Sequence, residues 1–221
     1  MSKTYSLLPH KYAESLLYVD LVDLLSVYRR FSKLTSLSQI LGVRETSLSK
    51  YANGRIRPKT SKSISLVKIL TDAKLVREVV MEYLRNESLV DLLMDTSFTK
   101  LIALSILEKI VSVFHGSRVE TILTSSEAVL IASHVAHRLK SSLLNIHVMR
   151  SGSRLKNIGN SIMILIMADE EIIKELTRVK AESRKVDVKY IFLMIYSNEV
   201  GRLTSLFPNA TVDCLIGLLS S

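Results

Sequence analysis

The stretch Leu37–Pro58, LSQILGVRETSLSKYANGRIRP, sets two short apolar runs on either side of Gly42 and ends in a burst of arginines. For two short helices to cross closely, the first must carry a small residue where the backbones touch, and the turn needs a residue that tolerates φ > 0. Ser38 and Gly42 supply these. The second helix must aim one apolar side chain back at the contact, and Leu48 stands ten residues after Ser38 to do so, with Leu37, Val43 and Tyr51 sealing the edges. This is the spacing of a helix-turn-helix over about residues 33–52.

Charge collects around the same stretch. Arg44 to Lys62 carries six cations against Glu45 alone, and Arg55, Arg57 and Lys59 alternate with Ile56 and Pro58 just after the second helix. Of the formal +9, residues 1–85 hold 15 basic and 7 acidic side chains, whereas 86–221 hold 15 and 14. An excess of this kind suits an anionic partner, and extended cations beside a groove neutralise phosphates without reading sequence. The competing interpretation is a solvated basic loop on a non-binding hairpin.

Outward from the hairpin, 221 residues at 48% hydrophobic have ample material for buried cores. Apolar side chains recur at three- and four-residue spacing over about 13–31 and 63–84, and over 88–114 in two pieces, so everything to about residue 85 and the segment after it reads as helix. The pattern changes at His115-Gly116. Beyond it, VETILT, LLNIHVM, SIMILIMA, VKYIFLMIYS and TVDCLIGLL read as strands, with EAVLIASHVAHRLK and DEEIIKELTRVKAESR as helices. Continuous apolar strands separated by helices indicate a doubly wound, mainly parallel sheet buried on both faces. The single Cys214 excludes an intrachain disulfide framework and fits a reducing, cytoplasmic setting. No basic-apolar signal opens the chain and no apolar run reaches about 18 residues, which argues against membrane insertion.

The hairpin resembles the helix-turn-helix of the Cro and phage-repressor family. Leu37-Ser38, Gly42-Val43, Leu48 and Tyr51, then Asn53-Gly54 and Pro58, fall where that family has its apolar, small, glycine, apolar, closing and post-helix turn positions. The resemblance implies that the second helix enters the major groove through its N-terminal residues, with Arg44, Glu45, Thr46, Ser47 and Lys50 facing bases and Asn53 beside them. Arg55, Arg57 and Lys59 would then position the protein on phosphates. Two departures bear on specificity: Arg44 replaces the usual small N-cap, and Glu45 stands where Gln is frequent. Glu would accept from a cytosine amino group where Gln pairs with adenine.

In element order the second half resembles the type I phosphoribosyltransferase core, and over nearly its whole length the chain resembles archaeal regulators in which a helix-turn-helix precedes such a domain. That family holds the ribose phosphate with an acidic pair followed by a Thr-Gly-rich loop at a helix N-terminus. Asp169 and Glu170 match the pair, but Asp169-Glu170-Glu171 enters the helix at once and the Thr-Gly loop is absent. Three carboxylates there suit the helix dipole and would repel a phosphate. The resemblance therefore implies a catalytically degenerate domain with no catalytic residue, no cofactor and no metal. Thr124-Ser125-Ser126-Glu127, where the family cradles pyrophosphate, could hold an anion and with Asp169 and Glu170 form a remnant ligand site; Thr124 and Glu127 also fit a capping box, the preferred reading because it requires no ligand. Arg154 and Lys156 in SGSRLKNIGN face either that site or solvent. His134 and His137 lie three apart on one helix without a third metal ligand at matching spacing.

Together these readings predict an α + α/β chain: a helical DNA-binding domain over 1–85, connecting helices over 86–116, and a phosphoribosyltransferase-like domain over 117–221. The expected function is sequence-specific transcriptional regulation of double-stranded DNA by a cytoplasmic homodimer, not an enzyme, with a nucleotide-like effector as a candidate partner and no membrane. The alternatives are a nucleotide- or phosphoribosyl diphosphate-binding relative of the transferases and an adaptor that does not bind DNA.

Overall fold

Leu17, Leu21, Leu24, Leu25 and Tyr28 recur at three- and four-residue spacing, and all five are buried. They line the inner face of helix α1 (His10–Phe31), against which the helices Glu45–Ala52, Thr60–Leu70 and Ala73–Leu84 pack. The computed structural model describes residues 10–114, 117–148, 158–182 and 186–217. The chain divides into two compact units, Met1–Val111 and Ser112–Ser221.

In the first unit α2 (Leu34–Leu41) and α3 (Glu45–Ala52) follow α1. Gly42 ends α2 at φ 59, a left-handed conformation costly for any side chain, and the N–H of Val43 returns to the Ser38 carbonyl at 3.1 Å. The periodicity predicts one helix over 63–84, whereas the chain forms α4 (Thr60–Leu70) and α5 (Ala73–Leu84). The Thr71 hydroxyl donates to the Val67 carbonyl (2.8 Å), and the Asp72 carboxylate accepts from the N–H groups of Lys74 and Leu75 at 3.0 and 3.4 Å. Apolar spacing runs through such a break; only the capping residue marks it.

Helix α6 (Leu89–Met94) starts in a Ser88/Asp91 capping box, and α7 (Thr96–Phe114) carries an unbroken buried run over 101–107. Residues 86–111, read above as connecting helices, lie within the bounds of the first unit. Phe98 of α7 stacks edge-on against Phe31 of α1 (5.6 Å between centroids) and Tyr83 of α5 (4.5 Å). Lys100 reaches Asp20 at 3.0 Å and also pairs with Asp23, so the fully buried Asp20 carboxylate is compensated from α7. The Tyr28 hydroxyl donates to the Leu70 carbonyl at 2.6 Å; burial, then the charges of Asp72 and Glu78, push its pKa up.

The second unit is a five-stranded, wholly parallel sheet in the order β2-β1-β3-β4-β5. Its strands are β1 (Thr121–Thr124), β2 (Ser142–Asn145), β3 (Ile158–Leu165), β4 (Val186–Ile195) and β5 (Thr211–Ile216). Helix α8 (Val129–Leu139) joins β1 to β2, α9 (Glu170–Glu182) joins β3 to β4, and α10 (Val200–Leu206) joins β4 to β5. Residues 161–165 and 190–194 are continuously buried, as strands covered on both faces require. Leu123, Met163, Leu165, Ile191 and Leu193 share one core with Ile172, Ile173, Leu176 and Val179 of α9.

Two features depart from the sequence pattern. LLNIHVM reads as one strand, but β2 stops at Asn145, whose side-chain oxygen accepts the His147 N–H at 3.0 Å and turns the chain into a 3₁₀ segment, Ile146–Val148. Helix α10 leaves no mark in the sequence pattern, because at seven residues it is too short for a periodic signal.

Candidate functional site

Two places gather the candidate residues. The first is the outer surface of the α2–α3 hairpin. Leu37, Leu41 and Leu48 are buried, with Val43 and Tyr51 half-buried at the rim, so the hairpin has a defined inside. Arg44 is the N-cap of α3 at φ −57, ψ 139 and makes no side-chain capping bond. Glu45, Thr46 and Lys50 are exposed, while Ser47, beside Leu48, is half-buried. Helical spacing aligns Glu45, Thr46, Ser49, Lys50 and Asn53 on one face. Ser49, which the spacing argument above does not name, falls on this face because it stands four after Glu45 and three after Thr46.

The turn after α3 extends this face. Gly54 adopts φ 68 with the Tyr18 hydroxyl 3.6 Å from where a Cβ would stand, and the Arg55 N–H donates to the Lys50 carbonyl at 2.9 Å. Arg55, Arg57 and Lys59 are exposed and Pro58 is buried, but Ile56 is exposed with them, so the turn presents three cations around an exposed apolar side chain and only part of the alternation in the sequence is an inward–outward one. Arg57 lies 5.3 Å from the centre of the Tyr18 ring, and the Arg29 guanidinium donates to the Asn53 side-chain oxygen at 3.0 Å. Both partners come from α1 and no local pattern announces them. Among the described residues, Arg44, Glu45, Lys50, Arg55 and Lys59 make no side-chain hydrogen bond or ion pair. Glu45 sits in the first turn of α3, where its charge also suits the helix dipole.

The second place is the carboxyl edge of the sheet. Thr124 of β1 pairs with Ile164 of β3, so residues 125–128 and 166–169 leave neighbouring strand ends where the strand order reverses, the switch point at which open α/β sheets bind ligands. Thr124–Glu127 and Asp169–Glu170 are thereby brought to adjacent strand ends. Thr124 and Ser125 are fully buried, and Ser126 and Glu127 exposed. The Thr124 hydroxyl donates to the Ser125 carbonyl (3.2 Å), the Asn145 amide donates to the Ser126 hydroxyl (3.2 Å), and the Ser125 hydroxyl has no hydrogen-bond partner among the described residues.

The capping box expected from Thr124 and Glu127 is not formed. Thr124 ends β1 inside the sheet, α8 begins only at Val129, and its N-cap, Ala128, has no side-chain cap. The three acids at α9 have local work instead. The Asp169 carboxylate accepts the Ile172 N–H at 2.8 Å, Glu170 lies 3.9 Å from Lys174, and Glu171 lies 3.9 Å from the His147 ring. Asp169 and Glu170 are exposed. Arg154 and Lys156 lie outside the described residues. His134 and His137 are exposed on α8, and among the described residues no three His, Cys, Asp or Glu side chains cluster to hold a metal ion. No helix among those residues is long and apolar enough to cross a membrane.

No protein-family model and no curated protein matches this chain. Among solved structures, the UMP synthase of Leishmania donovani is similar at 14% identity and a TM-score of 0.34, over 79% of this chain and 40% of that one. The chain thus spans less than half the length of that enzyme, and a likeness at this TM-score carries neither fold nor activity across.

Proposed function

We propose that the chain is a sequence-specific DNA-binding transcriptional regulator, in which α3 reads the major groove, the turn over 53–59 seats on phosphates, and the second unit is a catalytically degenerate phosphoribosyltransferase-like domain for dimerisation and effector sensing. One observation carries the reading. Among the described residues, five charged side chains on and after α3, Arg44, Glu45, Lys50, Arg55 and Lys59, make no side-chain hydrogen bond or ion pair, and they stand on or just beyond a hairpin with Leu48 buried inside it. Six cations against one acid over Arg44–Lys62 supply the counterion-releasing charge that binding to duplex DNA needs. Glu45 and Lys50 supply the selective part: a carboxylate accepts from the cytosine amino group, and an ammonium donates to guanine O6 and N7. Two half-sites on DNA call for a two-fold protein, hence a homodimer.

Salt-titrated binding of the full chain to duplex DNA tests this. Each neutralised phosphate contributes a log–log slope of about −0.9, so a flat or absent interaction overturns the reading.

The second unit supports a second reading, a nucleotide-binding protein related to the transferases. Its basis is the buried Ser125 hydroxyl, without a hydrogen-bond partner among the described residues and beside the switch point. Against catalysis stand the capping duty of Asp169 and the absence of a Thr-Gly loop after β3. Calorimetry with phosphoribosyl diphosphate and with nucleotides separates the two: tight binding abolished by Asp169→Asn or Glu170→Gln favours the second reading.

A further inference from the structure

Arg29 and Arg30 stand side by side in the last turn of α1, and their surroundings differ. Arg30 donates to the Asp95 carboxylate at 2.6 Å, so its charge is met by an opposite charge. Arg29 donates to the neutral side-chain oxygen of Asn53 at 3.0 Å, and among the described residues no acid pairs with it. Asn53 is the C-cap of α3, with its own N–H on the Ser49 carbonyl at 3.1 Å. An exposed guanidinium is thus pinned at the end of the helix proposed to read bases, next to the turn that carries Arg55, Arg57 and Lys59.

We propose that Arg29 is a DNA-phosphate ligand supplied by α1, and that Asn53 is the positioning residue that orients it rather than a reader of bases. The inference rests on the DNA-binding reading above. A guanidinium has five N–H donors in a planar fork; the bond to Asn53 occupies one and fixes the plane. The rest of the fork keeps a full positive charge and its geometric match to two phosphate oxygens. A neutral anchor suits this role because a carboxylate in its place would cancel the charge, as Asp95 does for Arg30. A cation in the last turn of α1 also suits that helix's own dipole, so the test needs a measurement that helix stability does not move.

That measurement is the salt dependence of the full chain binding a mixed-sequence duplex. Arg29→Gln keeps an amide donor for Asn53 and removes the charge; the magnitude of the log–log slope should fall by about 0.9 with the thermal midpoint unchanged. Arg29→Lys should restore the slope with weaker affinity, and Asn53→Ala should weaken binding at every salt concentration while leaving the slope. Arg30→Gln should lower the thermal midpoint and leave the slope alone. A wild-type slope retained by Arg29→Gln overturns this proposal and leaves the DNA-binding reading standing. A wild-type chain without salt-dependent binding overturns the DNA-binding reading itself.

Discussion

Two of the charged helix starts in this chain, those of α9 and α3, use their charge in opposite ways. At α9 the Asp169 carboxylate caps the helix at 2.8 Å from the Ile172 N–H, and Glu170 and Glu171 each lie 3.9 Å from a basic partner. At α3 the N-cap is Arg44, which caps nothing, and Glu45 and Lys50 face outward without partners among the described residues. Where a charged side chain satisfies its own helix, its presence is explained by the fold. Where it satisfies nothing nearby, something other than the fold has to account for it. This contrast, rather than net charge, separates the candidate interface of the first unit from the acidic cluster of the second.

The largest break in the comparison comes from removing what holds the α3 surface in shape. Leu48 of α3 is fully buried, so Leu48→Ala should cost about 2–5 kcal/mol in transfer and cavity terms. Chemical denaturation reads this directly, and DNA binding should fall with it. A loss well under 1 kcal/mol would mean that the hairpin is not a packed unit and that the outward face has no fixed geometry.

The exposed residues come next. Glu45→Gln should move preference from cytosine toward adenine at one position, and Lys50→Ala should relax preference at another, by about 1–3 kcal/mol of discrimination each. Arg57→Ala should weaken every duplex alike, because a phosphate contact carries no sequence information. Competition binding across a set of single-base variants distinguishes these outcomes. Uniform losses from all three substitutions would reduce α3 to a general anion-binding face.

At the other helix start the expected change is smaller and of a different kind. Asp169→Ala removes the α9 cap and should destabilise the second unit by about 0.5–2 kcal/mol, with the salt slope of DNA binding unchanged. Asp169→Asn, which retains a capping oxygen, should recover most of the loss in a denaturation experiment. If neither change touches stability, the acid at this position is not explained by capping and the remnant-ligand reading gains.

Much of this arrangement was legible in the sequence, for local reasons. The two short helices on either side of the turn read correctly because Gly42 and Leu48 stand at the spacing that a tight turn and a buried contact require: Gly42 takes φ 59 and Leu48 is buried. The parallel sheet reads because buried strands leave continuous apolar runs. What escaped was non-local or marked by a single residue. Asp72 splits the helix predicted over 63–84, and Asn145 stops β2 short of 149. Thr124 looks like a cap from spacing but ends a strand, because the identity of residue 124 says nothing of the sheet into which it is paired. Arg29 and Tyr18, which hold the turn after α3, meet it across a fold that no short window contains.

The finest distinction lies within the basic unit itself, at Asp95, where a charge is consumed locally just as at α9. One side-chain oxygen accepts the N–H groups of Ser97 and Phe98 at 2.9 and 3.4 Å, opening α7, and the other takes the Arg30 guanidinium at 2.6 Å. Burial raises the pKa of this carboxyl. The Arg30 hydrogen bond, the Ser97 N–H, the Arg30 charge and the Phe98 N–H outweigh it and hold the value below the ordinary carboxylate range. The sign follows: a carboxyl depressed in the folded state contributes stability that is complete above its unfolded pKa and is lost as pH falls through the folded one. Arg30 is half exposed, so solvent screens the pair and the effect should be the smallest of those considered. Asp95→Asn keeps a capping oxygen and removes the charge, so the stability gap between wild type and variant should be open at neutral pH and close on acidification. A gap that stays constant with pH would assign Asp95 to capping alone. Arg30 would then stand beside Arg29 as a second uncompensated cation at the end of α1, and the line drawn between the two arginines would have to be redrawn.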